Sequence, residues 1–109
     1  MIISGGENVH PVIVEEALKD HPDVVDAMVT GVASKEWGEV VVAYVASNNS
    51  TVSEKDLNQF CLNHPMLSRY QRPRLYKFVS FEELPFGSAG KKLHHIIKAR
   101  AQEDFPNIK

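Results

Sequence analysis

The sequence predicts a small α+β domain with a mostly antiparallel sheet and flanking helices. The chain has 109 residues, which suffices for one hydrophobic core and is too short for two. Hydrophobic residues make up 43% and charged residues 24%, as in ordinary folded domains. Short valine-rich runs alternate with segments of helical periodicity in the order β-α-β-β-α-β-α, which predicts a single domain spanning residues 1–109.

The first segments are a strand, a turn and a helix. Residues 1–3 are apolar and begin without a turn or cap, so we expect an edge strand that is part of something longer. Residues 4–8 are a turn whose paired glycines tolerate positive φ or a close approach of backbone to a ligand. Pro11 suits the first turn of an amphipathic helix, which ends at residues 21–22, His-Pro.

Two strands are expected next, over residues 24–32 and 40–45. The second strand is nearly continuous in β-branched residues, so both of its faces should be covered. Asp26 interrupts the first strand and is expected to face solvent or lie at an edge. The connection over residues 33–39 is long for a hairpin turn and contains Trp37, the only tryptophan.

The remaining elements are a helix, a strand, a loop and a last helix. Ser53, with Asp56 three residues later, resembles a helix cap, and this helix ends before residues 64–65, His-Pro. A third long strand is expected over residues 74–81. The segment 84–91 is a loop of small residues that ends on a lysine and precedes the last helix.

The charge is distributed unevenly along the chain. The net charge is −2, but residues 1–68 hold ten acidic and three basic residues, whereas residues 69–109 hold four acidic and nine basic ones. Charge attraction therefore favours phosphate binding in the last third, and a solvated basic helix without a ligand is the alternative. Nucleic-acid binding is not expected, because aromatic residues are not interleaved with these charges.

Several classes of protein are disfavoured. The single cysteine, Cys61, leaves no internal disulfide and no CxxC motif, which suits a reducing cytoplasm. No apolar run reaches the length of a membrane span and no secretory leader is visible, so we expect a cytoplasmic protein.

Common catalytic motifs are also missing. The adjacent His94 and His95 point apart on a helix, so no metal site is expected. Cys61 with His64 lacks the setting of an activated nucleophile, so a core thiol is the simpler interpretation. The segment 87–92 lacks the glycine spacing of a P-loop and the Ser or Thr after its lysine.

Lys91 lies at the end of the small-residue loop. A lysine in this setting can be carried into the pocket of another domain, where its charge meets a phosphate or carboxylate oxygen. The alternative is an ordinary surface lysine that precedes a helix.

Six segments together carry a resemblance to a known family. They are IISGGENVHP at 2–11, VEE at 14–16, HP at 21–22, WGE at 37–39, YQRPR at 70–74 and LPFGSAGK at 84–91. In this order and spacing, over nearly the whole chain, they resemble the mobile C-terminal domain of the adenylate-forming enzymes. That superfamily includes acyl-CoA synthetases, peptide-synthetase adenylation domains and firefly luciferase. The chain is most similar to the acyl-CoA synthetases, because peptide-synthetase domains usually have an arginine-rich version of the SGGEN loop.

The resemblance implies a two-step reaction in a full-length enzyme. A carboxylate and Mg-ATP give an acyl-adenylate and pyrophosphate, and the CoA thiol then displaces AMP, with this domain rotating between the steps. Lys91, supported by Gly90, corresponds to the lysine of the first step. The loop of Ser4, Gly5, Gly6 and Glu7 corresponds to the CoA channel. Trp37 corresponds to an aromatic contact for CoA, with a buried core tryptophan as the alternative.

The resemblance also implies partners and shows departures. The domain that binds ATP, Mg²⁺ and the acyl group belongs before Met1, so this chain alone is expected to be inactive and to bind no cofactor tightly. Residues 86–87, Phe-Gly, replace a basic and a small polar residue, and residues 94–95, His-His, replace a common arginine pair. The alternative function is a free-standing, non-catalytic module of the same fold that binds a nucleotide or a partner.

Overall fold

The computed structural model describes residues 2–49, 51–68 and 71–106. The elements within these ranges are β1 Ile2–Ser4, β2 Glu7–Val9, α1 Pro11–Lys19, β3 Val24–Ser34, β4 Gly38–Ser47, α2 Glu54–Leu62, β5 Leu75–Val79 and α3 His94–Asp104. Two single turns of 3₁₀ helix, Phe81–Glu83 and Ser88–Gly90, precede α3.

The sheet is built around β4. Strand β3 pairs antiparallel with one edge of β4, from Val24 opposite Ser47 to Ser34 opposite Gly38. Strand β5 pairs parallel with the other edge. Strand β1 meets that same edge at one register pair, Ser4 with Gly38, and carries β2 on its far side. The prediction of a mostly antiparallel α+β domain is confirmed, with β4–β5 as the parallel exception.

Both faces of β4 are buried, as predicted from its valine run. Successive side chains point to opposite faces of a strand. Val41, Ala43 and Val45 therefore pack in the cluster that contains residues of α1 and α2. Val42, Tyr44 and Ala46 pack in the cluster that contains residues of α3. The sheet is thus the middle layer between α1 and α2 on one face and α3 on the other.

The predicted helix starts are confirmed. Pro11 occupies the first turn of α1, where no backbone N–H is needed. At α2 the Asp56 N–H donates to Ser53 Oγ at 3.2 Å, and the Ser53 N–H donates to Asp56 Oδ2 at 3.0 Å. These two bonds form a capping box, which explains why Ser53 followed three residues later by Asp56 predicted the start of α2.

Two predictions about connections are wrong. Residues 4–8 were expected to form a turn, but Ser4 ends β1, residues 7 and 8 belong to β2, and the turn is confined to Gly5 and Gly6. The segment 33–39 was expected to exceed a hairpin turn. Strands β3 and β4 instead extend into it and leave a three-residue turn at 35–37, because Ser34 and Gly38 still pair. Within the described ranges, no helix is both long and apolar enough to cross a bilayer.

Candidate functional site

The turn between β1 and β2 is a strip of backbone without side chains. Gly5 has φ +58° and Gly6 has φ +82°, both in the left-handed region that side chains rarely adopt. The Gly5 N–H donates to the carbonyl oxygen of Trp37 at 2.8 Å, which ties the turn to the residue just before β4. Ser4 is buried at the base of this turn, whereas Gly5, Gly6 and Glu7 are exposed.

The indole ring of Trp37 lies against the glycine turn. A β-carbon placed on Gly5 would lie 2.9 Å from Cε3 of this ring, closer than real contacts allow. Trp37 is nevertheless 38% exposed, so the alternative that it is a buried core residue is wrong. The ring therefore presents a partly open aromatic surface beside the turn.

Arg74 completes this surface and was missed by the sequence reasoning. Its guanidinium carbon lies 4.5 Å from the centroid of the Trp37 ring, a cation–π contact. The Arg74 N–H donates to the carbonyl of Val41 at 2.9 Å, which fixes the entry to β5 beside β4. The only local signal was its place in the YQRPR segment, since the register of β4 is what brings it to Trp37.

Gly5, Gly6, Glu7, Trp37 and Arg74 are called the hairpin-tip cluster below. It combines open backbone, an aromatic face and a permanently charged planar cation. Guanidinium groups bind phosphate oxygens in a fixed geometry, and aromatic faces bury apolar chains. The arrangement suits a ligand that has a thin chain with phosphates at one end.

Glu39, the acidic residue of WGE, connects the hairpin to the last helix. Its Oε1 accepts the Ile3 N–H at 3.1 Å and its Oε2 lies 3.0 Å from Lys98 Nζ on α3. Burial by itself raises the pKa of this carboxyl. The bonds from Ile3 and Lys98 outweigh burial and lower the pKa below its usual value. Glu39 is therefore an ionised link between β1 and α3.

The loop that carries Lys91 is closed by backbone bonds. Phe86 and Lys92 form an antiparallel bridge, and the Gly87 N–H donates to the Lys91 carbonyl at 2.7 Å. Gly90 turns the chain with φ +74°. We call residues 86–92 the lysine loop. The Lys91 side chain is exposed on it.

The departure at residues 86–87 has a packing cause. The Phe86 ring lies 5.2 Å from the Phe81 ring, and Phe86 packs against the apolar cluster that contains residues of α3. A β-carbon on Gly87 would lie 3.0 Å from Leu93 Cδ2. An aromatic and a glycine at these positions therefore serve the closure of the lysine loop.

Asp26 lies on β3, the edge strand of the sheet, so the second of its two expected placements is confirmed and exposure to solvent is not. Its side chain is only 13% exposed, and its Oδ1 lies 2.8 Å from Lys92 Nζ. Lysine 92 is 66 positions further along the chain, so no local pattern reveals the pairing. A buried carboxylate is tolerated here because a cation neutralises it.

The predicted residues fall into two groups. Gly5 and Trp37 are in contact, and Arg74 joins them. Within the described residues, no hydrogen bond, ion pair or ring contact joins Lys91 to this cluster. The same part of the chain offers no group of three or more His, Cys, Asp or Glu side chains arranged to hold a metal ion.

Comparison with known proteins gives a consistent result. The family model described as the AMP-binding enzyme C-terminal domain matches residues 13–91. A 2-succinylbenzoate–CoA ligase of Bacillus licheniformis is 41% identical over 95 residues, 87% of this chain and 19% of the relative. The chain thus spans about a fifth of the length of the relatives that it matches.

Solved structures are similar in fold as well as in sequence. A fatty acyl CoA synthetase of Mycobacterium tuberculosis has a TM-score of 0.86 and 33% identity, covering 95% of this chain and 20% of that one. A double mutant of o-succinylbenzoate CoA synthetase from Bacillus subtilis, bound to a product analogue, has a TM-score of 0.79 and 39% identity. That match covers 91% of this chain and 20% of that one.

Proposed function

The chain belongs to the family of AMP-binding enzyme C-terminal domains, and from this premise we propose that it serves an ATP-dependent acyl-CoA synthetase. In the proposed reaction a carboxylate oxygen attacks the α-phosphorus of ATP and pyrophosphate leaves. The thiol of CoA then attacks the acyl carbon and AMP leaves. The names of the relatives, which are CoA ligases and acyl-CoA synthetases, support this reaction class.

The observation that carries the proposal is the hairpin-tip cluster. CoA has a thin pantetheine arm and a phosphorylated nucleotide. The glycine backbone leaves room for the arm, and the Trp37 ring offers it an apolar wall. Arg74 supplies the cation that phosphates require. Glu7 is exposed beside this path at the start of β2, and Ser4 supports the turn from its buried base at the end of β1.

Lys91 has the complementary role in adenylation. Its exposed ammonium is free to reach into the active site of a second domain and to meet the carboxylate and phosphate oxygens. Negative charge on these oxygens rises as pyrophosphate begins to leave, so a cation placed beforehand stabilises the transition state. Gly90 supports this role by turning the loop that ends on the lysine.

ATP and its Mg²⁺ belong to the other domain in this proposal. That large N-terminal adenylation domain, in the same polypeptide, also holds the acyl group. The described residues here contribute a lysine and a CoA surface. The acid is therefore selected elsewhere, and the names of the relatives make 2-succinylbenzoate the first acid to assay.

The test is a chimera in which this chain replaces the matching domain of a 2-succinylbenzoate–CoA ligase. We expect the chimera to form acyl-adenylate and then CoA thioester. The 109-residue chain by itself should show no ATP–pyrophosphate exchange. Exchange by the isolated chain would contradict the proposal. A folded chimera that performs neither half-reaction would favour a non-catalytic binding module.

A further inference from the structure

Lys91 and Lys92 are adjacent but lie in opposite environments. The Lys91 side chain is exposed, whereas the Lys92 side chain is 18% exposed. Lys92 Nζ lies 2.8 Å from Asp26 Oδ1, 3.4 Å from Glu15 Oε1 and 2.9 Å from the Ala27 carbonyl oxygen. The ammonium group has three donors, and each one faces an acceptor.

Glu15 is the centre of this arrangement. Its side chain is only 3% exposed on α1. Oε2 accepts the Val29 N–H of β3 at 2.8 Å and lies 2.6 Å from Nε2 of His94. Because the carboxylate accepts, His94 Nε2 carries the hydrogen in this contact. Lys92 and His94, the two neighbours of Leu93 in the sequence, therefore both contact the carboxylate of Glu15.

Because the Glu15 side chain is buried, its carboxylate requires these contacts with Lys92 and His94. A carboxylate removed from water needs a hydrogen-bond donor for each oxygen, or its burial is strongly unfavourable. The donors to Glu15 come from β3 and from the segment that follows Lys91. Packing α1 against the sheet therefore also fixes the end of the lysine loop.

We infer that Glu15 is a positioning residue that acts through Lys92 and His94 to aim Lys91 outward. This inference rests on the proposed function, in which Lys91 is the reacting group. Lys91 has an extended backbone, with φ −73° and ψ +132°. Neighbouring side chains on an extended backbone point in opposite directions. An inward Lys92 thus sets the outward direction of Lys91.

The first test uses the 109-residue chain and amide hydrogen exchange. Lys92→Met keeps the aliphatic stem and removes the charge. The Gly87 N–H bonds to Lys91 within the loop, and the Leu93 N–H bonds to Pro85 across the base of the loop. We expect both amides to exchange about tenfold faster relative to that of Val42 in β4. The matched control is Lys77→Met, which breaks the partly exposed pair with Asp104 and should leave the loop unchanged.

The pattern of exchange separates positioning from general stability. An equal acceleration at Gly87, Leu93 and Val42 would mean that Lys92 stabilises the whole domain, and this would overturn the inference. Unchanged exchange in the loop would also overturn it. Lys92→Arg keeps a cation able to reach both carboxylates and should restore loop protection. Glu15→Gln should loosen the same amides as Lys92→Met.

The second test uses the chimera described above. Lys92→Met should lower the kcat of adenylation about tenfold, with thioester formation from supplied acyl-adenylate unchanged. A loosened loop with normal adenylation would overturn the inference. An inactive chimera with the unaltered chain would instead count against the proposed function. In that case the exchange data would still decide whether Glu15 and Lys92 hold the loop.

Discussion

The guanidinium group of Arg74 stacks on the ring of Trp37, with its carbon 4.5 Å from the ring centroid. A cation that precedes β5 and an aromatic that precedes β4 therefore form one surface. The contact orients the Arg74 side chain before any ligand arrives, which lowers the entropy lost when a phosphate binds.

Arg74→Met is expected to weaken CoA binding and to leave adenylation unchanged. Loss of one charge-assisted contact should raise the KM for CoA about tenfold and reduce its dependence on salt. Arg74→Lys keeps the charge but loses the planar contact with the ring. Its KM for CoA should therefore lie between that of the unaltered chimera and that of Arg74→Met. A KM for CoA that is unchanged in Arg74→Met would remove Arg74 from the CoA surface.

Lys91→Ala is expected to slow acyl-adenylate formation by roughly 10²–10³, the usual effect of losing one preorganised transition-state contact. Thioester formation from supplied acyl-adenylate should change little. Lys55→Ala on α2 removes another exposed lysine and serves as the control. Equal damage to both half-reactions would contradict the role given to Lys91.

Gly6→Leu is expected to block thioester formation but not adenylation. No atom lies within 4 Å of a β-carbon built on Gly6, so the leucine projects outward into the proposed path of the pantetheine arm. Gly6→Ala has the same free-energy cost of placing a side chain in the left-handed region, about 1–2 kcal/mol, but lacks the bulk of leucine. Retained thioester formation in a Gly6→Leu variant that melts like Gly6→Ala would show that these glycines only form a turn.

Gly5→Ala should destabilise the domain more than Gly6→Ala. Both positions have positive φ, but only Gly5 faces the Trp37 ring, at 2.9 Å from the added carbon. We expect about 1 kcal/mol of extra destabilisation in urea unfolding. Combining Gly5→Ala with Trp37→Ala should abolish that excess. If the excess persists in the double variant, the ring is not its cause.

Glu39→Gln is expected to lose stability at neutral pH but not in acid. The pKa of Glu39 is lower in the folded domain than its usual value of 4.5. The stabilising effect of its charge is therefore complete above the unfolded pKa and disappears as the pH falls through the folded pKa. The difference from the unaltered chain, about 0.5–1 kcal/mol at pH 7, should shrink in urea unfolding as the pH falls below the usual pKa of 4.5.

Glu103→Gln, an exposed change on α3, provides the baseline for this pH series. If Glu39→Gln lowers the free energy of unfolding by the same amount at pH 3 as at pH 7, the charge of Glu39 does not stabilise the link between β1 and α3.

The elements that could be predicted from the sequence have local causes. Pro11 at a first turn, the capping box at Ser53 and the valine run of β4 each act over a few residues. The three-residue turn was mispredicted because its length depends on pairing between two strands, which extends further than their apolar cores.

The ion cluster around Glu15 depends on distant partners. Lys92 and His94 lie 77 and 79 positions further along the chain. One local signal was nevertheless present. Glu15 shares the i, i+3, i+4, i+7 stripe of α1 with Val14 and Leu18, so an acidic residue occupied a position where helical periodicity predicts burial. A carboxylate at such a position requires a donor from elsewhere in the fold.

Strand β3 ends the sheet, and in the described part of the chain no strand pairs with its outer edge. Such an edge is a template on which a second molecule can add a strand and begin to aggregate. Two backbone groups of β3 are already engaged, since the Ala27 carbonyl accepts from Lys92 and the Val29 N–H donates to Glu15. The Val29 N–H has a single hydrogen, so it cannot bond a foreign strand while Glu15 accepts from it, and the carboxylate that anchors the lysine loop therefore also blocks one pairing position on this sheet edge.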